Sequence, residues 1–124
     1  MAKKILLVGW SPQSKSVNFS KWPGLTPEIL EKVLLADQAQ LVEMGYDAEW
    51  AFLETPETAE DMVVTALQAK DYDVVLVGAG LRTSEENFMT FERLINAIHE
   101  YAPRAKIAFN TNPKDTAEAV QRWL

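Results

Sequence analysis

Two uninterrupted apolar runs, Ile5-Leu6-Leu7-Val8 and Val74-Val75-Leu76-Val77, constrain this chain more than any other feature. A strand with one face in water alternates apolar and polar residues, whereas a strand covered on both faces reads as a continuous apolar run. Both runs are therefore expected at the centre of a parallel sheet. The stretches Ala48 to Leu53 (AEWAFL) and Ala105 to Phe109 (AKIAF) carry a glutamate and a lysine, which an edge strand tolerates. A four-stranded sheet follows.

Helical patterns separate the four strands. Thr26-Pro27 and Thr55-Pro56 each combine a capping hydroxyl with a first-turn proline, and both precede apolar residues at helical spacing. The first pattern runs through Ile29, Leu30, Val33, Leu34, Leu41 and Met44 to Gly45, and the second through Ala59, Met62, Val63, Ala66 and Leu67. A third helix is expected to open near Thr83 or Ser84, to bury Phe88, Phe91, Leu94, Ile95 and Ile98, and to stop before Pro103. A fourth is expected to begin at Asn112-Pro113, with Asn112 as its cap, and to pack Ala117, Val120 and Leu124.

This β-α-β-α-β-α-β-α order, with right-handed crossovers, predicts a three-layer α/β/α sandwich around a parallel sheet of strand order 2-1-3-4. The sheet resembles a flavodoxin-like or receiver-like fold in topology only. A phospho-receiver needs acidic residues after its first strand and a phosphorylatable aspartate after its third. Gly9-Trp10 and Gly78-Ala79 stand there instead.

The length of 124 residues and the 48% hydrophobic content suit a single α/β domain over 1–124, with one long loop at about 10–25. Twelve basic and 18 acidic residues give a net charge of -6, which disfavours non-specific attraction to a phosphate backbone, so no nucleic-acid partner is expected. Cysteine is absent, which removes disulfides, thiolate nucleophiles and cysteine-held metals. No histidine and carboxylate spacing suggests a metal site. The apolar stretch near the start ends at Val8, too short for a signal-peptide core or a membrane span, and a cytoplasmic protein is expected.

In open parallel sheets, ligands bind beyond the carboxyl ends of the strands where the strand order reverses, here between the first and third strands. That point collects Trp10 and Ser11 from one side, Gly80, Arg82 and Thr83 from the other, and Asn110 from the fourth strand. The guanidinium fork of Arg82 suits a carboxylate or phosphate, or alternatively a surface partner such as Glu85 or Glu86. Asn110 can both donate and accept toward a polar ligand. Trp10 or Trp22 would close an apolar side.

No cofactor is expected. GAGLRT, residues 78–83, lacks the three spaced glycines of a dinucleotide loop. Trp10, Trp22 and Trp50 could stack on a flavin, but the compact hydroxyl-rich phosphate loop is missing. The single histidine, His99, belongs to the far end of the third helical pattern from Arg82.

The sequence thus points to a non-catalytic module binding a small anionic or polar ligand at the strand ends. One alternative is a small cofactor-independent enzyme using Glu86 or Glu54 as acid or base, with Arg82 as electrostatic stabiliser. Another is a homodimer formed through the AKIAF edge strand or through the first and last helices.

Overall fold

The computed structural model describes residues 2–124. Four parallel strands, β1 (Lys4–Trp10), β2 (Asp47–Leu53), β3 (Val74–Val77) and β4 (Lys106–Phe109), form one sheet in the order β2-β1-β3-β4. Five helices accompany them: α1 (Pro27–Glu43), α2 (Pro56–Ala69), α3 (Ala79–Arg82), α4 (Phe88–Tyr101) and α5 (Thr116–Gln121). The result is the expected three-layer sandwich with flavodoxin-like topology.

The apolar runs explain the layering. Ile5 pairs with Val74 and Leu7 with Leu76, and these side chains share one core with Leu41 of α1 and Ala119 and Val120 of α5. Leu6 and Val8 point to the opposite face, where Val63 of α2 and Leu94 and Ile98 of α4 cover them. Period-two alternation and burial on both faces coexist because every outward direction meets a helix. Truncating any of these fully buried leucines to alanine costs about 2–5 kcal/mol.

The helix-start signals act locally. The Thr26 hydroxyl accepts the Ile29 amide at 3.2 Å, and Thr55 accepts Thr58 at 3.2 Å, each ahead of the first-turn proline. Gly45 ends α1 with φ +96°, a conformation that strains any residue bearing a Cβ. The amides of Gly45 and Tyr46 then close onto the Val42 and Leu41 carbonyls, as at other glycine-terminated helices. At α4, Ala102 leaves the helical region just before Pro103.

Three expectations are corrected. The third helix is divided: α3 begins directly after β3, Ser84 is extended, and a 3-10 turn over Glu85–Asn87 leads into α4. Asn87, almost fully buried, donates its amide to the Gly80 carbonyl at 3.1 Å and so holds the break in place. Phe88 therefore lands on the outer surface of α4 at 58% exposure, whereas Leu94 and Ile98 are buried as expected. Asn112 does not cap the last helix, because α5 starts at Thr116. The Asn112 side chain accepts the Lys114 amide at 2.7 Å in a turn, and Ala119 and Val120 carry the buried contact that Leu124 does not. On α1, Ile29 and Met44 are exposed, while Asp37 takes a buried place beside Leu34 and Leu41.

The α1 terminus gives a direct test. Gly45→Ala is expected to lower stability by about 1 kcal/mol in urea denaturation, because alanine must adopt the left-handed conformation. Gly80→Ala, where a new Cβ would meet no atom within 4 Å, is expected to cost nothing measurable.

Candidate functional site

The connections after β1 and β3 leave the sheet toward opposite faces. The chain after β1 returns through α1 on the face that carries α5, and the chain after β3 continues through α3 into α4 on the face that carries α2. The strand ends therefore part and leave a crevice. The 10–25 loop covers it.

That loop is tied down on two sides. Near its start, the Ser11 amide donates to the Leu53 carbonyl at 2.8 Å, and the Ser14 hydroxyl donates to the Glu54 carbonyl. Farther along, Asn18 donates to the Glu86 carboxylate at 3.5 Å and Lys21 to the Thr83 carbonyl at 3.2 Å. The first pair is part-buried and belongs to the framework, whereas the second pair is exposed and weakly restraining. A 3-10 turn over Phe19–Lys21 and a positive φ at Gly24 then bring Trp22 and Leu25 over the crevice.

Beneath the loop lies a cavity of about 80 Å³. Three indoles line it: Trp10 from the end of β1, Trp22 from the loop and Trp50 from β2. Leu30 and Leu34 of α1 close one part, and Gly78 to Leu81 supply the turn out of β3. Asn18, Ser84 and Asn110 are its polar side chains, and no charged side chain lines it.

Trp50 is held by its own hydrogen bond, donating from Nε1 to the Leu34 carbonyl at 2.9 Å, and it stacks on Phe52 at 4.9 Å. Trp10 differs. It is 5% exposed, and its Nε1 is a buried donor without a partner. Such a group costs about 1–3 kcal/mol until something accepts its proton.

Of the residues singled out from the sequence, Trp10, Gly80 and Asn110 share this cavity lining, while Ser11, Arg82 and Thr83 lie off it. Ser11 is buried and its hydroxyl serves Gln13 within the loop. The Thr83 hydroxyl donates to the Ala79 carbonyl of its own helix at 2.8 Å. Arg82 donates to the Asn110 carbonyl at 2.6 Å, with its guanidinium 5.8 Å from the centre of the Phe109 ring. Among the described residues no carboxylate ion-pairs with it, so the alternative pairing with Glu85 or Glu86 is not formed.

Asn110 joins the two sides of the crevice. Its Oδ1 accepts the Ala79 amide at 2.8 Å, and its Nδ2 donates to the Thr116 hydroxyl at 3.0 Å. Thr116 in turn donates to the Asp37 carboxylate at 2.8 Å, and all three side chains are buried. One hydrogen-bonded chain thus runs from the β3 turn through the end of β4 and α5 to α1.

Burial pushes the Asp37 carboxyl from its ordinary 3.8 up to about 6, with the Thr116 hydrogen bond opposing the shift and the Asp115 charge adding to it. Burial also pushes Asp115 upward. There the Thr111 hydroxyl and the amides of Asn112 and Thr111 outweigh it and hold the carboxyl below the usual range.

Other chemistry-bearing groups stand apart. Glu54 is exposed, Glu86 is exposed on the outer side of the loop, and His99 is exposed in the last turn of α4. Lys70 pairs with Glu49 and Asp47 near the opposite ends of the strands, where Tyr72 donates to Glu49 at 3.1 Å. Among the described residues no group of three metal-ligating side chains occurs, and no helix is long and apolar enough to cross a membrane.

Leu30, Leu34 and Pro113 are cavity residues that sequence reasoning missed. Leu30 and Leu34 read as ordinary core positions of a helix, and their only distinguishing signal is their place in the first turns after the long loop. The chain matches no protein-family model and no curated protein.

The buried carboxylate sets a pH dependence with a definite sign. Because the folded state raises the Asp37 pKa, it binds the proton more tightly than the unfolded chain. The contribution of this group is fully favourable below about 3.8 and is lost as pH rises toward about 6. Asp37→Asn is expected to remove that dependence, so the stability difference between wild type and variant shifts against wild type by on the order of 1–3 kcal/mol from pH 4 to 7. Urea denaturation of both proteins across that range measures it.

Proposed function

We propose that the chain is a small-molecule binding module whose site is the cavity at the carboxyl ends of β1 and β3. The observation that carries this reading is the tryptophan-lined space at the point where the strand order reverses, covered by a loop whose outer contacts are weak. Ligand sites in open α/β sheets fall at that point, and they combine apolar walls with a few polar groups.

The lining favours the polar branch of the expectation over the anionic one. An anion would need a cation or several free donors to offset its lost hydration. Arg82 spends one guanidinium nitrogen on the Asn110 carbonyl and is off the lining, and Asn110 spends both amide atoms within the chain. We assign these two residues to shaping the site. Neither Glu54 nor Glu86 lines the cavity, so the carboxylate enzyme reading has no group to place there.

Native mass spectrometry against a set of small neutral aromatic compounds tests the assignment. Wild-type protein is expected to retain at least one compound, and Trp22→Ala, which removes the indole that the loop contributes to the lining, is expected to retain less. Retention of no compound by wild type, or equal retention by the variant, would contradict the proposal.

A homodimer is a second reading with its own observation. Leu35 and Val42, 48% and 52% exposed, stand two turns apart on α1, with exposed Ala39 between them. If that stripe is an interface, Leu35→Glu converts a dimer into a monomer in light scattering. A wild-type monomer at the same concentration removes this reading.

A further inference from the structure

We infer that Asp37, Thr116 and Asn110 form a proton-controlled clasp on the cavity walls: an ionised Asp37 draws the hydrogen-bonded chain tight between α1 and the β3 turn, and a protonated Asp37 slackens it. Only the effect on ligand retention rests on the binding reading above.

Both ends of the clasp reach the lining. Asp37 stands one turn beyond Leu34 on α1, and Leu30 and Leu34 are cavity wall. At the other end, Asn110 Oδ1 holds the Ala79 amide, and Asn110, Ala79 and Gly80 are cavity wall too. The direction of each proton is fixed. A backbone amide only donates, so Asn110 must present Oδ1 to Ala79 and Nδ2 to Thr116, and the Thr116 proton goes to Asp37 Oδ2 at 2.8 Å. All three bonds point toward the carboxyl. Ionisation there makes the Thr116 bond charge-assisted, roughly twice as strong as a neutral one, and polarisation passes the strengthening along the chain to Ala79.

The surroundings leave Asp37 as the group that titrates. One turn away on α1 stand Val33, Leu34, Gln40 and Leu41, and the sheet contributes Leu7, Leu76 and Ala108 to this core, all uncharged. From the start of α5, the Asp115 carboxylate opposes ionisation of Asp37 and is itself held below the usual range by Thr111 and Asn112. Farther along α5, Glu118 is exposed and Arg122 donates to the Phe109 carbonyl at 3.0 Å. With its pKa pushed up to about 6, Asp37 is about nine-tenths ionised at pH 7 and about one-tenth ionised at pH 5. Its charge costs stability, yet the same charge tightens the local bonds.

The backbone amide of Ala79 reports the clasp without any ligand, because an amide proton moves downfield as its hydrogen bond strengthens. In ¹⁵N-labelled wild type the Ala79 signal is expected to move downfield as pH rises, with a midpoint of about 6, and in Asp37→Asn to stay at its low-pH position. Thr116→Val removes the link while leaving Asp37 free to titrate, so Ala79 is expected to stop following pH. Thr116→Ser returns the hydroxyl and the response, which separates a lost link from a damaged fold. An Ala79 signal that ignores pH while the Asp37 carboxyl titrates overturns the inference. So does a response that survives in Thr116→Val, since the charge would then act through space.

Benzene, uncharged at every pH, probes the consequence for binding through the Trp22 and Trp50 indole signals. Wild type is expected to bind it roughly 5-fold more tightly at pH 7 than at pH 5, the low end of coupling between linked sites, because a wall already held costs less to order. Asp37→Asn is expected to bind it equally at both. Equal binding by wild type, with Ala79 responding, overturns control of the cavity by the clasp. If benzene moves neither indole signal, that result counts against the binding reading, and the Ala79 titration still decides the clasp.

Discussion

The pairing of β1 with β3, two strands with no face to offer water, is the constraint on which the remaining structure depends. Their side chains alternate between two cores, so each face of the sheet must carry helices. Right-handed crossovers then send the chain from β1 to one face and from β3 to the other. The parting of those connections is not a local choice of the loop. It is forced by covering both sides of two adjacent strands, and it places a crevice where the order of strands reverses.

Once the crevice exists, its edges have to be held apart and in register. Asn110 does this from the end of β4, taking the Ala79 amide on one side and giving its own protons to Thr116 on the other. Arg82 fixes the same residue through its carbonyl and packs over Phe109. The chain continues to Asp37, a carboxylate kept in the core at a cost that burial makes visible in its raised pKa. Satisfied polar groups thus hold the edges, and the indoles of Trp10, Trp22 and Trp50 line the space between them.

Much of the fold was legible in the sequence because its strongest signals are local. The two apolar runs give buried strands, Thr26-Pro27 and Thr55-Pro56 give helix starts, and Gly45 gives a helix end, each through contacts within a few residues. The misplacements arise where a competing side-chain bond to the backbone, three to seven residues away, overrides the helix-start signal. Asn87 reaching Gly80 breaks the third helix, and Asp115 binding Thr111 and Asn112 delays the last one.

The location of the candidate site was legible from strand order, which brought attention to Trp10, Gly80 and Asn110. The duties of individual side chains were not. Whether an arginine fork or an asparagine amide is free depends on what the fold places opposite it, and the partners of Arg82 and Asn110 lie up to 31 residues away. Leu30 and Leu34 gave no sign of being a cavity wall, since an apolar helix face reads the same over a packed core and over a space.

The central claim is that an apolar space persists between the strand ends and the loop. A crystal structure determined under xenon pressure tests it most directly, because xenon enters dry apolar cavities without needing a specific partner. The account predicts xenon density among Trp10, Trp22 and Trp50. Absence of xenon there, with the Trp22 ring filling the space, would contradict it.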